Sequence, residues 1–494
     1  MRTEWTKFRT VRGFVIAMII AFAAILALGL TPMSGTCTEQ TCRQPVGPAG
    51  EEVRDSFYLL HRPLTGDGSL TARLTSMTGR IPDIPADEGD GDDGGGRAAG
   101  PAAGEGMRDG LVAWAKAGLI IKDGTERGSA YAAVMMTGGH GVRMQHDFVH
   151  DRSAQPETTG APVPTWLRLT RTGDVITGES SADGVNWTRV ASVELDGLPS
   201  TVRIGLFATS PQFVEATGVA GASSGPSSVT ATFDDISGGV AGWTGQGVGG
   251  DGAHQSTGTG FTLTGSGDIG PAVVGAAGLG VSITQTLLGT FAGLVLVVVV
   301  GAAFMTGEYR RGMIRTTLAA TPDRGRVLFA KAAVLGGVTF VVGLAGAAIV
   351  VVLGRRLLVG NGVYVLPSTL LTEVRVITGT AALLAVAAVL ALGIGAMLRR
   401  SAVAISAVVG LIVLPYLLAL TVLPAAAADW LLRVTPAAAF AVQQSAKQFY
   451  QVENLYTPVD GYFPLPWWAG FGVLCLWAGA ALAGAAVLLR RRDV

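Results

Sequence analysis

The side chains with the most obvious chemical potential lie in one short stretch, where His140, His146 and His150 sit near Asp147 and Asp151. Imidazoles and carboxylates at close spacing are zinc ligands. If 142–150 is a single strand, His146 and His150 share a face but stand about 13 Å apart, too far to share an ion. No metal is therefore expected. The string GASSG at 221–225 satisfies the G-x-S-x-G pattern of serine hydrolases. That pattern needs a sharp strand-to-helix elbow, whereas here it reads as part of a Gly/Ser-rich linker. Asp90, Asp92 and Asp93 could offer carboxylates to calcium, but they lack the spaced ligand order of a binding loop, and a solvated acidic loop accounts for them. No G-x-x-x-x-G-K-[ST] loop occurs, so the chain is not expected to bind ATP by that route. Neither a catalytic set nor a cofactor site emerges.

The elements that would have to position any site belong to an unusual chain. It has 494 residues, zero formal charge and only 15% charged residues, with a mean hydropathy of +0.45. It is too apolar for an ordinary soluble protein. It also lacks the basic footprint that nucleic-acid binding requires. Cys37 and Cys42 follow the first apolar segment, where the chain should have left the cytoplasm, and a short-loop disulfide between them is expected, with a pair of free thiols as the alternative, the C-x4-C spacing also being seen in metal sites. Cys475 lies inside a late apolar run and reads as a small buried hydrophobe.

About 20 apolar residues cross a bilayer, and six stretches approach or exceed that length: 13–30, 279–305, 327–353, 376–397, 402–424 and 467–489. The first reads as a retained anchor, with a cleaved signal peptide as its alternative. Lys331, near the start of the third, is expected to snorkel to the headgroups. Basic residues fall mostly on one side: Arg2, Lys7, Arg9 and Arg12, then the loop from Arg310 to Lys331, Arg399 with Arg400, and the C-terminal arginines. The positive-inside rule then puts both termini in the cytoplasm and residues 32–278 outside. Trp430, Tyr462, Trp467 and Trp468 are expected at the outer interface.

Between the first two spans the texture changes to short alternating runs punctuated by Gly, Ser, Thr and Asp, a β-sandwich pattern. The expected fold class is therefore an α-helical polytopic membrane protein of six spans with an inserted, extracytoplasmic all-β sandwich domain. The expected divisions are 1–31 (N-terminal interfacial helix and first span), 32–54 (outer linker), 55–237 (sandwich), 238–278 (Gly-rich connector with a small β extension) and 279–494 (spans two to six). The sequences GDGSLTARL, WAKAGLII, WLRLTRTGDVITGESSADGVNWTRV and FDDI, within 55–237, resemble a concanavalin-like or laminin-G-like sandwich. That resemblance implies a structural module or one that contacts glycans.

Residues 306–331, TGEYRRGMIRTTLAATPDRGRVLFAK, carry the strongest motif. Thr306 is expected to cap a short amphipathic helix starting near Glu308, which Pro322 stops. The segment resembles the coupling helix of ABC-2 type transporter permeases in their actinobacterial form. The matching positions are Glu308, Tyr309, Arg310, Arg311, Gly312, Arg315, Thr317, Leu318, Pro322, Arg324, Arg326 and Lys331. The segments EWTKFRTVR near the N-terminus, LRRSAVAISAVVGLIVLP and the TPAAAF region are similar to the same family.

That resemblance implies the permease subunit of an ATP-driven exporter in the cell membrane, with hydrolysis in a separate ABC ATPase subunit docked under residues 306–331. It also implies pairing of two permease halves, as a homodimer or with a paired permease; Gly289 and Gly293 form a G-x-x-x-G suited to close helix approach. Membrane lipid surrounds the spans, and a glycan or envelope ligand at the outer domain stays open. The scarcity of charge within the spans favours amphipathic or lipid-like cargo. The competing reading is a membrane-anchored glycan- or envelope-binding receptor without transport, while an enzyme on envelope polymers lacks a usable catalytic set.

Overall fold

The computed structural model describes residues 2–31, 44–83, 106–154, 164–217, 221–274, 281–310, 312, 323–421, 423, 425–456 and 461–491. Cys37, Cys42 and the acidic residues Asp90, Asp92 and Asp93 lie outside them.

Among the described residues, six helices are long and apolar enough to cross a membrane: Arg12–Leu30, Gln285–Arg310, Arg324–Gly360, Leu370–Leu398, Ser401–Ala419 and Trp467–Arg491. We label the helices α1 (Arg2–Thr10), α2 (Arg12–Leu30), α3 (Thr290–Arg310), α4 (Arg324–Gly360), α5 (Leu370–Leu398), α6 (Ser401–Thr421), α7 (Ala425–Val434) and α8 (Trp467–Arg491). Local signals set their ends. Val11 is extended and separates α1 from α2. Asp323 caps α4 by accepting the Arg326 N–H at 3.1 Å, and Thr369 caps α5 in the same way. Arg399 takes a left-handed conformation (φ 57°), which ends α5 and turns the chain into α6. The second span begins later than the apolar run suggests, because Val281 forms an isolated bridge with Val365 and helix starts only with the 3-10 turn Gln285–Gly289.

α5 is the most enclosed span, and α3, α4 and α8 pack around it. Gly289 and Gly293 do not face outward to a second copy. A methyl group on Gly289 would collide with the Ile25 carbonyl, and one on Gly293 with the Ile25 side chain, so the motif sets the approach of α2 to α3 within one chain. Cys475 is exposed on α8 and not buried. An apolar run on a span must serve lipid as well as protein, so hydropathy alone does not say which face a residue takes.

The inserted domain is a two-sheet, antiparallel β-sandwich. Edge to edge, the larger sheet orders Thr188–Glu194, Val175–Ser181, Thr165–Thr172, Gly68–Pro82, Ser228–Asp234, Phe261–Gly265 and Gly252–Ser256, with Met107–Asp109 beside Gly68–Pro82. The other sheet orders Thr244–Val248, Phe57–Thr65, Thr201–Thr209, Lys116–Lys122, Tyr131–Thr137, Val142–His146 and His150–Ser153. Alternation drives the larger sheet: in Thr165–Thr172 and Ser228–Asp234 the buried positions recur at every second residue. The strands of 244–265 extend both sheets, so this Gly-rich stretch is part of the sandwich edge. The 221–225 segment pairs with Phe213–Thr217 as a hairpin and offers no strand-to-helix elbow.

Lys116–Lys122 and Tyr131–Thr137 are buried along their whole length. Their second face is covered by a ribbon in which Val53–Asp55 pairs antiparallel with Ile269–Pro271, adding a separate cluster that includes Phe57, Ile120, Tyr131, Phe148 and Phe207. Two lysines on this face would be stranded without partners. Lys122 instead donates to Asp55 at 2.9 Å and Lys116 to Asp268 at 2.8 Å, all four side chains being buried. The ribbon that leads into and out of the sandwich is thus riveted to it by two buried ion pairs.

Candidate functional site

α1 carries Glu4 in its first turn and Lys7 one turn later, an arrangement favoured by the helix dipole and by i,i+3 pairing. Glu308 occupies the last turn of α3, where the carbonyl end disfavours a carboxylate. Lys331 sits in the second turn or so of α4. The structure gathers these four side chains into a closed ring of alternating charge. Lys331 Nζ lies 2.7 Å from both Glu4 Oε2 and Glu308 Oε1, and Lys7 Nζ lies 3.1 Å from Glu4 Oε1 and from Glu308 Oε1. Lys331 is 0% exposed, Glu4 4% and Glu308 5%, so the ring is withdrawn from solvent while Lys7 forms its open side.

Lys331 therefore does not snorkel. Two carboxylates hold it inside, and its ammonium lies 4.6 Å from the Phe304 ring centre. Phe8, Phe14 and Phe304, one from each of α1, α2 and α3, pack together with centroids 5.4 to 5.8 Å apart, Phe8 stacked on Phe14 and Phe304 edge-on to both. Burial alone would push the Glu4 carboxyl up, but the hydrogen bonds and charges of Lys331 and Lys7 outweigh it and hold it below the ordinary range. Lys7 moves the opposite way: burial lowers it, and Glu308 and Glu4 more than reverse that.

Thr306 does not cap a new helix. α3 runs through to Arg310, and the Thr306 hydroxyl bonds back to the Ala302 carbonyl and lies 2.8 Å from Ser401 Oγ at the start of α6. A helix already supplied with its preceding turn has no free N–H groups for a cap. Glu308 is accordingly at a helix C-terminal end and not at an N-terminal one. Tyr309 lies under the Arg399 guanidinium, 4.9 Å from ring centre to Cζ. Arg310 is exposed at the end of α3, and Gly312 takes φ 67°, as a turn away from the helix requires. Arg324 bonds the Leu489 carbonyl of α8, and Arg326 is exposed on the first turn of α4. Arg311, Arg315, Thr317, Leu318 and Pro322 lie outside the described residues.

A cavity of about 630 Å³ opens beside the ring, lined at one end by Lys7, Glu308 and Arg310 and further in by Phe14, Val300 and Phe304. Sequence reasoning singled out Glu308 and Lys331 but missed Glu4 and Lys7 as their partners. The available signal was an acidic residue inside an otherwise basic N-terminal helix.

At the opposite end, the histidine cluster is not a single strand. Asp147 and Phe148 adopt left-handed conformations (φ 44° and 64°) and fold 142–153 into a hairpin, which sets His146 opposite His150 with ring centroids 4.4 Å apart. Burial, followed by the charges of His150 and Arg152, holds His146 down at about 4. Asp151 instead accepts from Arg143 Nε at 2.9 and 3.0 Å and from Gln145 Nε2 at 2.9 Å. Among the described residues no group of three His, Cys, Asp or Glu side chains could hold a metal ion. Tyr462 is buried and packs tilted against Tyr456 with ring centroids 4.1 Å apart, whereas Trp430, Trp467 and Trp468 are exposed.

A family model described as ABC-2 family transporter protein matches residues 120–494. No curated protein matches the chain. One solved structure, of a functionally unknown protein from Saccharomyces cerevisiae, is similar over 35% of this chain and 75% of its own, at 14% identity and a TM-score of 0.19.

Proposed function

The chain belongs to the ABC-2 family transporter proteins, and from that premise we propose that it is the membrane subunit of an ATP-driven exporter coupled to a separate ATPase through residues 306–331. The observation that carries this reading is the ring of Glu4, Lys7, Glu308 and Lys331. It ties α1, α3 and α4 into one unit directly beside the segment where a partner would push. A buried closed ring cannot stretch without stranding a charge. Force applied between α3 and α4 therefore moves α1 with them.

In this assignment both termini are cytoplasmic and the sandwich is extracytoplasmic, consistent with the arginines of the α3–α4 region and of the α8 end. Arg310 and Arg326 lie within the segment and are exposed, which makes them available to an acidic surface on the ATPase. The cavity beside the ring, charged at one end and apolar at the other, suits amphipathic cargo. Two permease halves, two copies of this chain or this chain with a paired permease, enclose the path, and the sandwich carries any glycan contact.

The test is purification in mild detergent followed by identification of a co-purifying Walker-type ATPase. Recovery with the unaltered chain and loss with Arg310→Glu/Arg326→Glu, at unchanged membrane insertion, is the expected result. An ATPase absent from the wild-type preparation, or retained equally by the variant, overturns the coupling role.

A further inference from the structure

The stretch 436–456 runs from the interior of the bundle to the surface of the sandwich. Its first part, the 3-10 turn Pro436–Gln443, is buried against the spans. Gln443 Nε2 donates to Thr290 Oγ1 of α3 at 3.1 Å and reaches Thr380 Oγ1 of α5 at 3.4 Å. The Thr284 hydroxyl donates to the Gln443 carbonyl at 2.7 Å, and Arg375 donates to the carbonyl of Gln444. These bonds fasten the turn to the sandwich-side ends of three different elements.

A few residues later the same stretch lies on the sandwich. Tyr450 packs edge-on against Trp114 and His140, with centroids 5.3 Å from each, and its hydroxyl is 3.1 Å from His140 Nδ1. His140 is itself stacked on Trp114 at 4.2 Å, with its Nε2 3.7 Å from Glu453. Gln451 Nε2 donates to the Phe148 carbonyl at 3.0 Å, and Val452 is buried on Val273, just past the ribbon. The Arg143 guanidinium covers both Trp114 and Tyr450. Tyr456 closes the segment on itself by donating to the Phe449 carbonyl at 3.0 Å.

We propose that 436–456 is a strap by which the sandwich governs the bundle: docking of Tyr450–Glu453 on the Trp114–His140 patch keeps Pro436–Gln443 seated between α3 and α5, and displacement of the sandwich withdraws it. The partner of this sandwich surface is thus a segment of its own chain. The ribbon tethers the sandwich, and the strap adds a contact that makes the position of the sandwich felt inside the bundle. A ligand that prefers the undocked sandwich shifts the strap by its differential affinity for the two states. The inference does not depend on the identity of the ATPase or the cargo.

Hydrogen–deuterium exchange on the full chain in lipid nanodiscs tests it. His140→Ala alters the strap's seat on the sandwich, yet it should accelerate exchange of the amides of 438–444, in the bundle, by about tenfold, while strand Tyr131–Thr137 and α5 keep their protection. Tyr450→Phe, which keeps the ring and removes the hydroxyl, should give a smaller rise of about two- to threefold at the same amides. Unchanged exchange at 438–444 in both variants overturns the proposal, even if 450–456 becomes more exposed. Should His140→Ala loosen the whole sandwich, the Tyr450→Phe result decides alone.

Discussion

Two junctions hold this molecule together at opposite ends of its bundle, and they are built from different forces. The ring at the terminal end is ionic, nearly closed to solvent and composed of four groups that each need two partners. The dock at the sandwich end is aromatic and hydrogen-bonded, with Tyr450 about half exposed at 47%. Removing one member of a buried ion-pair set leaves an uncompensated charge, whereas opening an exposed aromatic contact costs only what the contact itself contributes. The first junction therefore resists separation more strongly than the second.

That contrast can be broken most severely at Lys331. Lys331→Met leaves Glu4 and Glu308 facing each other with only Lys7 between them and should destabilise the spans by about 3–5 kcal/mol. Adding Glu308→Gln should restore part of that loss. A fluorescence-detected melting series in detergent measures both, and a double variant no more stable than the single one contradicts the closed-ring account.

A mid-sized effect is expected from acid. Glu4 titrates below its ordinary value in the folded chain, so its contribution is present above the free glutamate value of about 4.3 and is lost as pH falls through the folded value. Lys7 titrates above its ordinary value, so its share is intact below about 10.4 and is lost only as pH rises through the folded value. Proteolysis within α1 should therefore be flat from roughly pH 5 to 10 and rise in stronger acid. A transition near neutrality would mean that another group controls α1.

The smallest effect belongs to the dock, where Tyr450→Phe should lower the melting temperature little, consistent with a loss of about 1 kcal/mol. A loss as large as that of Lys331→Met would erase the distinction between the two junctions.

The six spans were legible because hydrophobic length is a property of contiguous residues. The sandwich was legible wherever alternation was clean, as in Thr165–Thr172. In Lys116–Lys122 the apolar run was legible as a strand but its burial on both faces was not, because the flanking lysines look like surface charge. The His146–His150 hairpin was missed because its turn uses Asp147 and Phe148 in place of the usual Gly or Asn. The ring was half legible: Glu308 and Lys331 are 23 positions apart, but Lys331 and Glu4 are separated by 327. No local pattern connects them. The G-x-x-x-G at Gly289 and Gly293 announced a close helix approach correctly in kind, but nothing in the motif says whether the partner is a second copy or the chain's own first span.

The ribbon of Val53–Asp55 and Ile269–Pro271 has a bearing on how such a chain is put together. Its strands bring the way in and the way out of some 200 residues to within the roughly 5 Å that separates paired strands. The gap to be bridged at this doorway is that of a hairpin turn, with or without the sheets beyond it. The sandwich is in this sense a cassette, and the same doorway would accept a different one.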